Sequence, residues 1–212
     1  MGISERKERE KNRRRETILK AAKKIISKSG VEGMSMDQVA EATELNKATL
    51  YLYFNNKDDL IDAIVYEGLT TLEKKFQEAD SQSLSRIEKV LHLIHAQFAF
   101  YKQFPVYFHT LNHQERRIVK ARMETPYATK GNEIASRIFK NLADSLRQGI
   151  KEGSIRKDID IHVLLILLFA QIYGVMHTIY AKKDIYQDVL HLDSETIEKA
   201  ALKIIEQFLR KK

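Results

Sequence analysis

The sequence predicts an all-α protein with a small N-terminal unit and a larger C-terminal helical bundle. Apolar residues recur at three- and four-residue steps through most of the 212 residues, which is the spacing of helices that bury one face. Only 2 prolines and 8 glycines interrupt the chain, which favours long helices. Two short helical patterns near the N-terminus precede several longer ones, which indicates the division into two parts.

The composition describes a soluble globular chain, with 43% hydrophobic and 31% charged residues. The sequence contains no cysteine, which excludes disulfides, thiolate nucleophiles and zinc bound by cysteine. A net charge of +7 permits a polyanionic partner without identifying one. The sequence has no phosphate-binding glycine loop, dinucleotide fingerprint or Gly-x-Ser-x-Gly motif. We therefore expect neither an enzyme nor a cofactor.

The first 16 residues are rich in charge, with basic residues from Arg6 to Arg15 mixed with glutamates from Glu5 to Glu16. They lack the apolar region of a secretory signal, and their glutamates are unlike a transit peptide. Two interpretations remain open. The segment is an arm that follows DNA phosphates or enters a minor groove, or it is a solvated extension of the first helix.

The first apolar helix is predicted from about Glu16 to Ser29, and Gly30 marks its C-terminal boundary. Its inward positions are expected to share a small core with the two short helices that follow. These core residues are Ile18, Leu19, Ala22, Ile25, Ile26, Met34, Val39, Leu45, Leu50 and Phe54.

Residues 35–54 predict two short helices separated by a tight break. Ser35 and Gln38 have the spacing of a capping box at the start of the first helix. Asn46 is a suitable N-cap for the second helix, which we place at about residues 47–54. Two helices joined in this way have the arrangement of a helix-turn-helix motif.

The second short helix has an unusual outer surface. Lys47, Thr49, Tyr51 and Tyr53 would present amino and hydroxyl groups outward, whereas Leu50 would point inward. Such groups suit phosphate oxygens and base edges, and a helix fits the major groove of DNA. The pattern indicates a recognition helix, although a surface helix with incidental tyrosines has the same pattern.

The segment Asn46–Leu60, which reads Asn-Lys-Ala-Thr-Leu-Tyr-Leu-Tyr-Phe-Asn-Asn-Lys-Asp-Asp-Leu, resembles the signature of the tetracycline-repressor (TetR/AcrR) family of transcriptional regulators. The resemblance covers about residues 14–61, and two positions depart from it. Glu44 stands where the turn usually carries glycine, so the backbone there is expected to be strained or differently shaped. Leu52 stands where histidine is common, so a contact from that position would be apolar or absent.

The resemblance implies that the N-terminal helices bind double-stranded operator DNA. We therefore expect a helix-turn-helix DNA-binding domain at residues 1–56 and a helical ligand-binding and dimerisation domain at residues 57–212. The residues expected to contact DNA are Arg14, Thr17, Ser35, Gln38, Asn46, Lys47, Ala48, Thr49, Tyr51, Tyr53 and Lys57.

A long helix is predicted from Lys57, capped by Asn56, to about Ala79. In the family the corresponding helix is the lever that joins the two domains. Further helices are predicted at residues 84–104, 105–111, 127–152, 159–180 and 194–209, with a polar linker at 80–83 and an irregular stretch at 112–117.

The most apolar predicted helix, residues 159–180, contains the unbroken apolar run Val163–Ala170. A membrane span needs about 20 consecutive apolar residues, and His162, Gln171 and His177 break this stretch, so no membrane is expected. A helix that is apolar on all sides is buried on all sides. The resemblance implies that this helix and the last one form a homodimer interface, although an extra core layer would have the same pattern.

Aromatic side chains of the C-terminal part are candidates for an effector pocket, because helical bundles hold small ligands in apolar cavities with a few polar groups. The same side chains would also form the core of any bundle. The candidates are Phe98, Tyr101, Phe104, Phe108, Met123, Tyr127, Phe139, Phe169, Tyr173, Met176 and His177. We take Tyr173 and His177 as the polar groups.

Two histidine pairs, His92 with His95 and His109 with His113, have helical spacing. A pair four residues apart can bind a transition metal. Because neither pair has an obvious third ligand, solvated or hydrogen-bonded histidines are the preferred interpretation and no metal is expected.

Together, these features predict a cytoplasmic, ligand-responsive DNA-binding regulator. Its simplest form is a repressor that binds a palindromic operator as a dimer and is released by a small apolar or amphipathic effector. The alternatives are a DNA-binding regulator without an effector, and a helical enzyme or metal-binding protein with an incidental basic surface.

Overall fold

The structure, a computed structural model, describes residues 2–80, 85–118, 125–181 and 183–210. The regular secondary structure of these ranges is helical, which confirms the predicted all-α class. The helices are α1 (Ile3–Ser29), α2 (Met36–Ala42), α3 (Lys47–Tyr51), α4 (Lys57–Asp80), α5 (Arg86–Gln103), α6 (Pro105–Ile118), α7 (Pro126–Glu152), α8 (Ile161–Ala181), α9 (Lys183–Leu190) and α10 (Ser194–Leu209).

The chain divides into two compact units. Unit 1 consists of Met1–Thr71 and Phe104–Ile134, and unit 2 consists of Leu72–Gln103 and Ala135–Lys212. Helices α4 and α7 each contribute to both units. The predicted boundary at residue 56 separates a DNA-binding domain from a ligand-binding domain, which are defined by function. It stays a prediction.

Unit 1 contains a three-helix head in which α1 packs on α2 and α2 packs on α3. Its buried core is built from Ile18, Leu19, Ala22, Ile26, Val31, Met34, Val39, Leu50 and Phe54. Ile25 and Leu45, which were also predicted for this core, are partly exposed. The local pattern therefore predicted most of the side chains that hold the head together.

Helix α1 begins at Ile3 rather than near residue 16, so the charged N-terminal segment is helical. Alternating arginine and glutamate residues favour this outcome, because opposite charges four residues apart stabilise a helix. Arg14 and Glu10 form such a pair, with 3.1 Å between Nε and Oε1. The structure therefore agrees with the helical-extension interpretation of this segment.

Two further segments differ from the sequence prediction. The stretch at residues 112–117 is part of helix α6 and not irregular. Its polar residues suggest a loop, yet glutamine, glutamate and arginine are good helix formers. Helix α9 was not predicted at all, and the polar linker at 80–83 lies largely outside the described residues.

In unit 2, helix α8 packs against α5 and α10. The buried side chains on these three helices include Val90, Ile94, Phe98, Leu164, Leu165, Leu168, Ile172, Met176, Leu202 and Ile205. The left-handed Gly153, with φ 78°, follows the end of α7 as predicted.

Among the described residues, one stretch is long and apolar enough to cross a membrane. It is Ile161–Ile179 of α8, with a mean hydropathy of 1.7. The core helix of a soluble protein also meets this criterion, so a single such helix is a weak indication of a membrane span. The packing of α8 against α5 and α10 gives its apolar character a structural role.

Candidate nucleic-acid interface

Side-chain caps hold the helices of the head in place. Ser35 Oγ accepts a hydrogen bond from the backbone N–H of Gln38 at 3.2 Å, and Gln38 Oε1 accepts one from the N–H of Ser35 at 2.9 Å. Asn46 Oδ1 accepts from the N–H of Thr49 at 2.7 Å. Asn56 Oδ1 likewise accepts from the N–H of Asp59 at 2.8 Å, at the start of α4. The predicted caps are therefore confirmed, and they satisfy N–H groups that have no partner within the helix.

The turn between α2 and α3 has a left-handed backbone. Glu44 has φ 56°, and its N–H donates to the carbonyl of Glu41 at 3.1 Å. A left-handed conformation costs a residue with a side chain about 1 kcal/mol or more. The expectation that the missing glycine leaves a strained turn agrees with this geometry.

Helix α3 ends earlier than the sequence predicted. Its α-helical part stops at Tyr51, and the N–H groups of Leu52 and Tyr53 donate to carbonyls three residues back, at 3.2 and 3.0 Å. Such bonds tighten the last turn of a helix. Leu50 and Phe54 are fully buried, so the inward side of the segment is as predicted.

The outward side of α3 is open to solvent. Lys47 and Ala48 are exposed and Tyr51 is 45% exposed, whereas Thr49 and Tyr53 are half-buried. All five were predicted to contact DNA. Four of them lie on α3 and Tyr53 follows in the tightened turn, so their groups lie on one short segment whose other side is buried at Leu50 and Phe54.

Lys47 forms an ion pair with Asp37 of α2. The distance between Lys47 Nζ and Asp37 Oδ2 is 2.8 Å, and the two side chains are 64% and 65% exposed. The hydrogen bond to Asp37 raises the pKa of Lys47, so this lysine stays positively charged at neutral pH. Exposed ion pairs are weak, and Lys47 can therefore exchange Asp37 for a phosphate group.

The other predicted DNA contacts lie at the edges of the motif. Arg14 and Thr17 are exposed on α1, where Thr17 Oγ1 donates to the carbonyl of Arg13 at 3.0 Å. Lys57 Nζ donates to the carbonyl of Glu32 at 3.2 Å. All of the predicted contacts belong to unit 1.

Arg15 is turned inward, although the sequence grouped it with the charged N-terminal segment. Its guanidinium carbon lies 4.4 Å from the ring centroid of Tyr127 and 5.9 Å from that of Phe54. Tyr127 also packs near Tyr66, with 6.1 Å between the ring centroids. Tyr127, predicted as an effector contact, also packs near Phe54, the buried residue that follows α3, with 6.3 Å between the ring centroids.

A polar cluster joins α1, α4 and α6. Lys23 Nζ contacts Glu67 Oε1 at 2.5 Å and Tyr107 Oη at 3.3 Å, and Tyr107 Oη donates to Glu67 Oε1 at 3.0 Å. Burial and the adjacent carboxylate raise the pKa of Tyr107, so its hydroxyl remains a donor. A side-chain carbon at Gly68 would lie 2.8 Å from the Tyr107 ring, which explains the glycine. Sequence reasoning missed this cluster, because no spacing rule relates residues so far apart.

The predicted effector residues occupy different environments. Phe98, Tyr101 and Met176 are buried in unit 2, and Phe139 stacks on Phe169 with 5.4 Å between ring centroids. Phe104, Phe108 and Tyr127 belong to unit 1. Met123 lies outside the described residues.

Each unit contains a cleft among the residues that the structure describes. The cleft between α1 and α4 of unit 1 has a volume of about 470 Å³ and is bordered by Arg15, Lys20, Lys23 and Glu67. The cleft in unit 2 has a volume of about 260 Å³ and lies among α4, α5 and α7. Neither cleft is lined by the predicted effector residues. The role of these residues in effector binding stays a prediction. Among the residues that the structure describes, no group of three or more histidine or carboxylate side chains is arranged to hold a metal ion.

Helix α8 has an apolar side that is exposed in the monomer. Its exposed fractions are 47% for Val163, 63% for Ile166, 38% for Leu167 and 37% for Tyr173. Tyr173 and the exposed His177 lie one turn apart, with 6.2 Å between ring centroids. Apolar residues that share one exposed helix face usually mark an interaction surface.

Comparison with known proteins agrees with the architecture of the head. Residues 18–64 match the family of bacterial regulatory proteins, tetR family. YhgD, an HTH-type transcriptional regulator of Bacillus subtilis, is 27% identical over 163 residues, which cover 76% of this chain and 83% of that protein.

Two solved structures share the fold over nearly the whole chain. The ketosteroid transcriptional regulator KstR2 of Mycobacterium tuberculosis aligns with a TM-score of 0.72 and 18% identity, covering 94% of this chain and 96% of that chain. FadR of Bacillus subtilis in complex with stearoyl-CoA aligns with a TM-score of 0.68 and 20% identity, covering 92% of this chain and 98% of that chain. With its capped helix-turn-helix and helical second unit, the chain belongs to the TetR family of transcriptional regulators.

Proposed function

We propose that this protein is a cytoplasmic repressor that binds a palindromic operator as a homodimer and is released by a small apolar or amphipathic effector. The observation that carries the proposal is the outer side of α3. Lys47, Ala48 and Tyr51 are exposed there. The opposite side of α3 is fixed by the buried Leu50, and its N-terminus is capped by Asn46.

Operator binding requires one copy of this surface from each protomer. In a symmetric dimer, two copies of α3 enter successive major grooves about 34–36 Å apart, so the operator repeats its sequence as a near-palindrome. Lys47 and the tyrosine hydroxyls contact phosphates and base edges, and Arg14, Thr17 and Lys57 contact the backbone beside the groove. Ser35, Gln38 and Asn46 contribute mainly by holding α2 and α3 in place, because their side chains are engaged in caps.

The dimer is proposed to form through α8 and α10. The exposed apolar side of α8 and Ile204 of α10, which is 61% exposed, support this assignment. Covering these side chains with the same surface of a second copy would remove apolar area from water at both sites.

The effector step is supported by the relatives and by α4. FadR of Bacillus subtilis has been solved with stearoyl-CoA, which makes a long-chain acyl thioester the first effector class to test. Helix α4 starts at Lys57 beside the DNA-binding head and runs unbroken to Asp80, contributing to both units. An effector that binds one position of α4 more tightly than another would shift the spacing of the DNA heads.

The proposal is tested by measuring binding to DNA from the region upstream of the protein's own gene, across a salt series. We expect tight binding that resists competitor DNA and weakens steeply with salt. Lys47→Ala should weaken binding and reduce the salt slope by about 1 for each recognition helix. Tyr51→Ala should weaken binding at every salt concentration, and Lys140→Ala, an exposed lysine of α7, is the matched control.

Weak binding that ignores both sequence and the α3 substitutions would contradict the proposal. The effector step is tested separately by adding stearoyl-CoA to the complex. Release of DNA at micromolar effector supports that step. If no apolar or amphipathic compound changes either DNA affinity or thermal stability, the protein is a regulator without an effector.

A further inference from the structure

The exposed side of the recognition helix consists of two parallel strips. Residues four apart lie above one another on a helix, so Lys47 and Tyr51 of α3 form one strip. Ala48 is the next exposed residue of α3, and Leu52, the C-cap residue with φ −71° and ψ −20°, continues the helical backbone through the tightened last turn, so it follows Ala48 in a second strip. The first strip carries an ammonium and a hydroxyl group. The second carries only methyl and methylene groups.

Leu52 is 81% exposed, which is the highest value among the exposed large apolar side chains of the described residues. The core of the head does not use it, because Leu50 and Phe54 fill the inward side of this segment and are fully buried. A single exposed leucine is not unusual on a protein surface. This one, however, continues the strip of Ala48 beside the two side chains best suited to DNA.

The chemistry of the strip selects among the groups that DNA offers. A leucine side chain has no hydrogen-bonding atom, so it gains nothing from a phosphate oxygen or from a polar base edge. In the major groove, the C5-methyl group of thymine is the apolar feature of a base pair, and cytosine lacks it. Contact between Leu52 and this methyl group would remove apolar surface from water on both molecules.

We infer that Leu52, together with Ala48, forms an apolar strip that recognises the 5-methyl group of thymine in each operator half-site. This inference rests on the proposed function and adds a sequence preference to it. Lys47 and Tyr51 supply affinity for the duplex, and the apolar strip discriminates thymine from cytosine at the base that it faces.

The expected size follows from the burial of one methyl group, which changes an equilibrium constant roughly fourfold. A dimer makes the contact in both half-sites, so removing both methyl groups should weaken binding by about 15-fold. Substitution of an exposed residue outside the core has little effect on stability, so the melting temperature of Leu52→Ala should match that of the wild-type protein.

The experiment first selects an operator from random DNA with the wild-type protein. Each thymine is then replaced by deoxyuridine, which lacks only the methyl group, at equivalent positions of both half-sites. We expect one or two thymines at which the wild-type protein loses about 15-fold in affinity. Leu52→Ala should bind the thymine operator more weakly and should not distinguish thymine from deoxyuridine at those positions, whereas Leu52→Met should still distinguish them.

The matched control is Leu190→Ala, the same change at a leucine of α9 that is 54% exposed. It should leave both the affinity and the methyl dependence unchanged. If Leu52→Ala keeps the wild-type loss at every deoxyuridine, or if the wild-type protein ignores all of the methyl groups, the inference is wrong while the proposed function stands. If the wild-type protein selects no DNA sequence, the proposed function itself fails, and the inference with it.

Discussion

The helix-turn-helix head and helix α8 both expose apolar side chains, but they do so in different ways. In the head, Leu52 is a single exposed leucine next to charged and hydroxyl-bearing neighbours. On α8, Val163, Ile166 and Leu167 form a continuous exposed face without charge. The first surface suits a charged, hydrated partner such as DNA, and the second suits an apolar surface such as another copy of α8.

Both regions are held by a cap and by burial of one side. The short helices of the head are capped by residues three apart, as in the pairs Ser35–Gln38 and Asn46–Thr49, and they bury Leu50. Helix α8 is capped by Asp160 Oδ1, which accepts from the N–H groups of His162 and Val163 at 2.9 and 3.3 Å, and it packs against α5 and α10. The two exposed sides therefore differ in their chemistry and not in how the helices are fixed.

The largest effect is expected from a charge on the apolar face of α8. Ile166→Glu should convert the dimer to a monomer, because burying a carboxylate in an apolar interface is strongly unfavourable. Loss of the second head should weaken operator binding by about 100-fold or more. Light scattering and DNA binding measure the two effects.

The control for this prediction is Val189→Glu, at a valine of α9 that is 68% exposed. That variant should remain dimeric. If Ile166→Glu also stays a dimer, the exposed face of α8 is not the subunit interface, and the contrast with the head disappears.

A smaller effect is expected from releasing Lys47 from its ion pair. Asp37→Asn removes a carboxylate that neutralises the lysine and repels phosphate, so operator affinity at low salt should rise roughly two- to fivefold. The gain should shrink as salt increases, because exposed charges are screened. Binding measured at three salt concentrations checks this, with Asp188→Asn on α9 as the matched control. A loss of affinity in Asp37→Asn would show that Asp37 orients Lys47 for DNA.

The smallest effect is expected at the left-handed turn. Glu44→Gly should stabilise the protein by about 0.5–1 kcal/mol, because glycine adopts φ 56° without the clash of a side chain. Thermal unfolding should show a rise of about 2 °C, with DNA affinity unchanged. Glu41→Gly, inside α2, should act in the opposite direction by about 1 kcal/mol. A lower melting temperature for Glu44→Gly would mean that the glutamate side chain stabilises the turn.

Much of the head could be predicted from the sequence. The capping residues and the inward positions follow rules of three- and four-residue spacing, and the structure places Ser35, Asn46, Leu50 and Phe54 accordingly. The same reasoning failed for the polar end of α6. Polarity alone does not distinguish a solvated helix from a loop, so residues 112–117 were predicted to be irregular although they are helical.

Long-range contacts could not be predicted at all. Lys23, Glu67 and Tyr107 meet although 40 to 84 residues separate them. Arg15 turns onto Tyr127, which no local pattern indicates. These contacts depend on how α1, α4, α6 and α7 pack within unit 1.

The sequence by itself determined where most helices begin and end, which residues cap them and which side chains line the core of the head, because these depend on hydrogen bonds and periodicity over a few residues. Only the tertiary structure decided which groups remain at the surface. Leu52 and the outer face of α8 are exposed, while Lys23 and Glu67 are drawn into a polar cluster. Exposure at these positions is set by residues far apart in the chain, so the three- and four-residue spacing that predicted the core of the head did not reveal it.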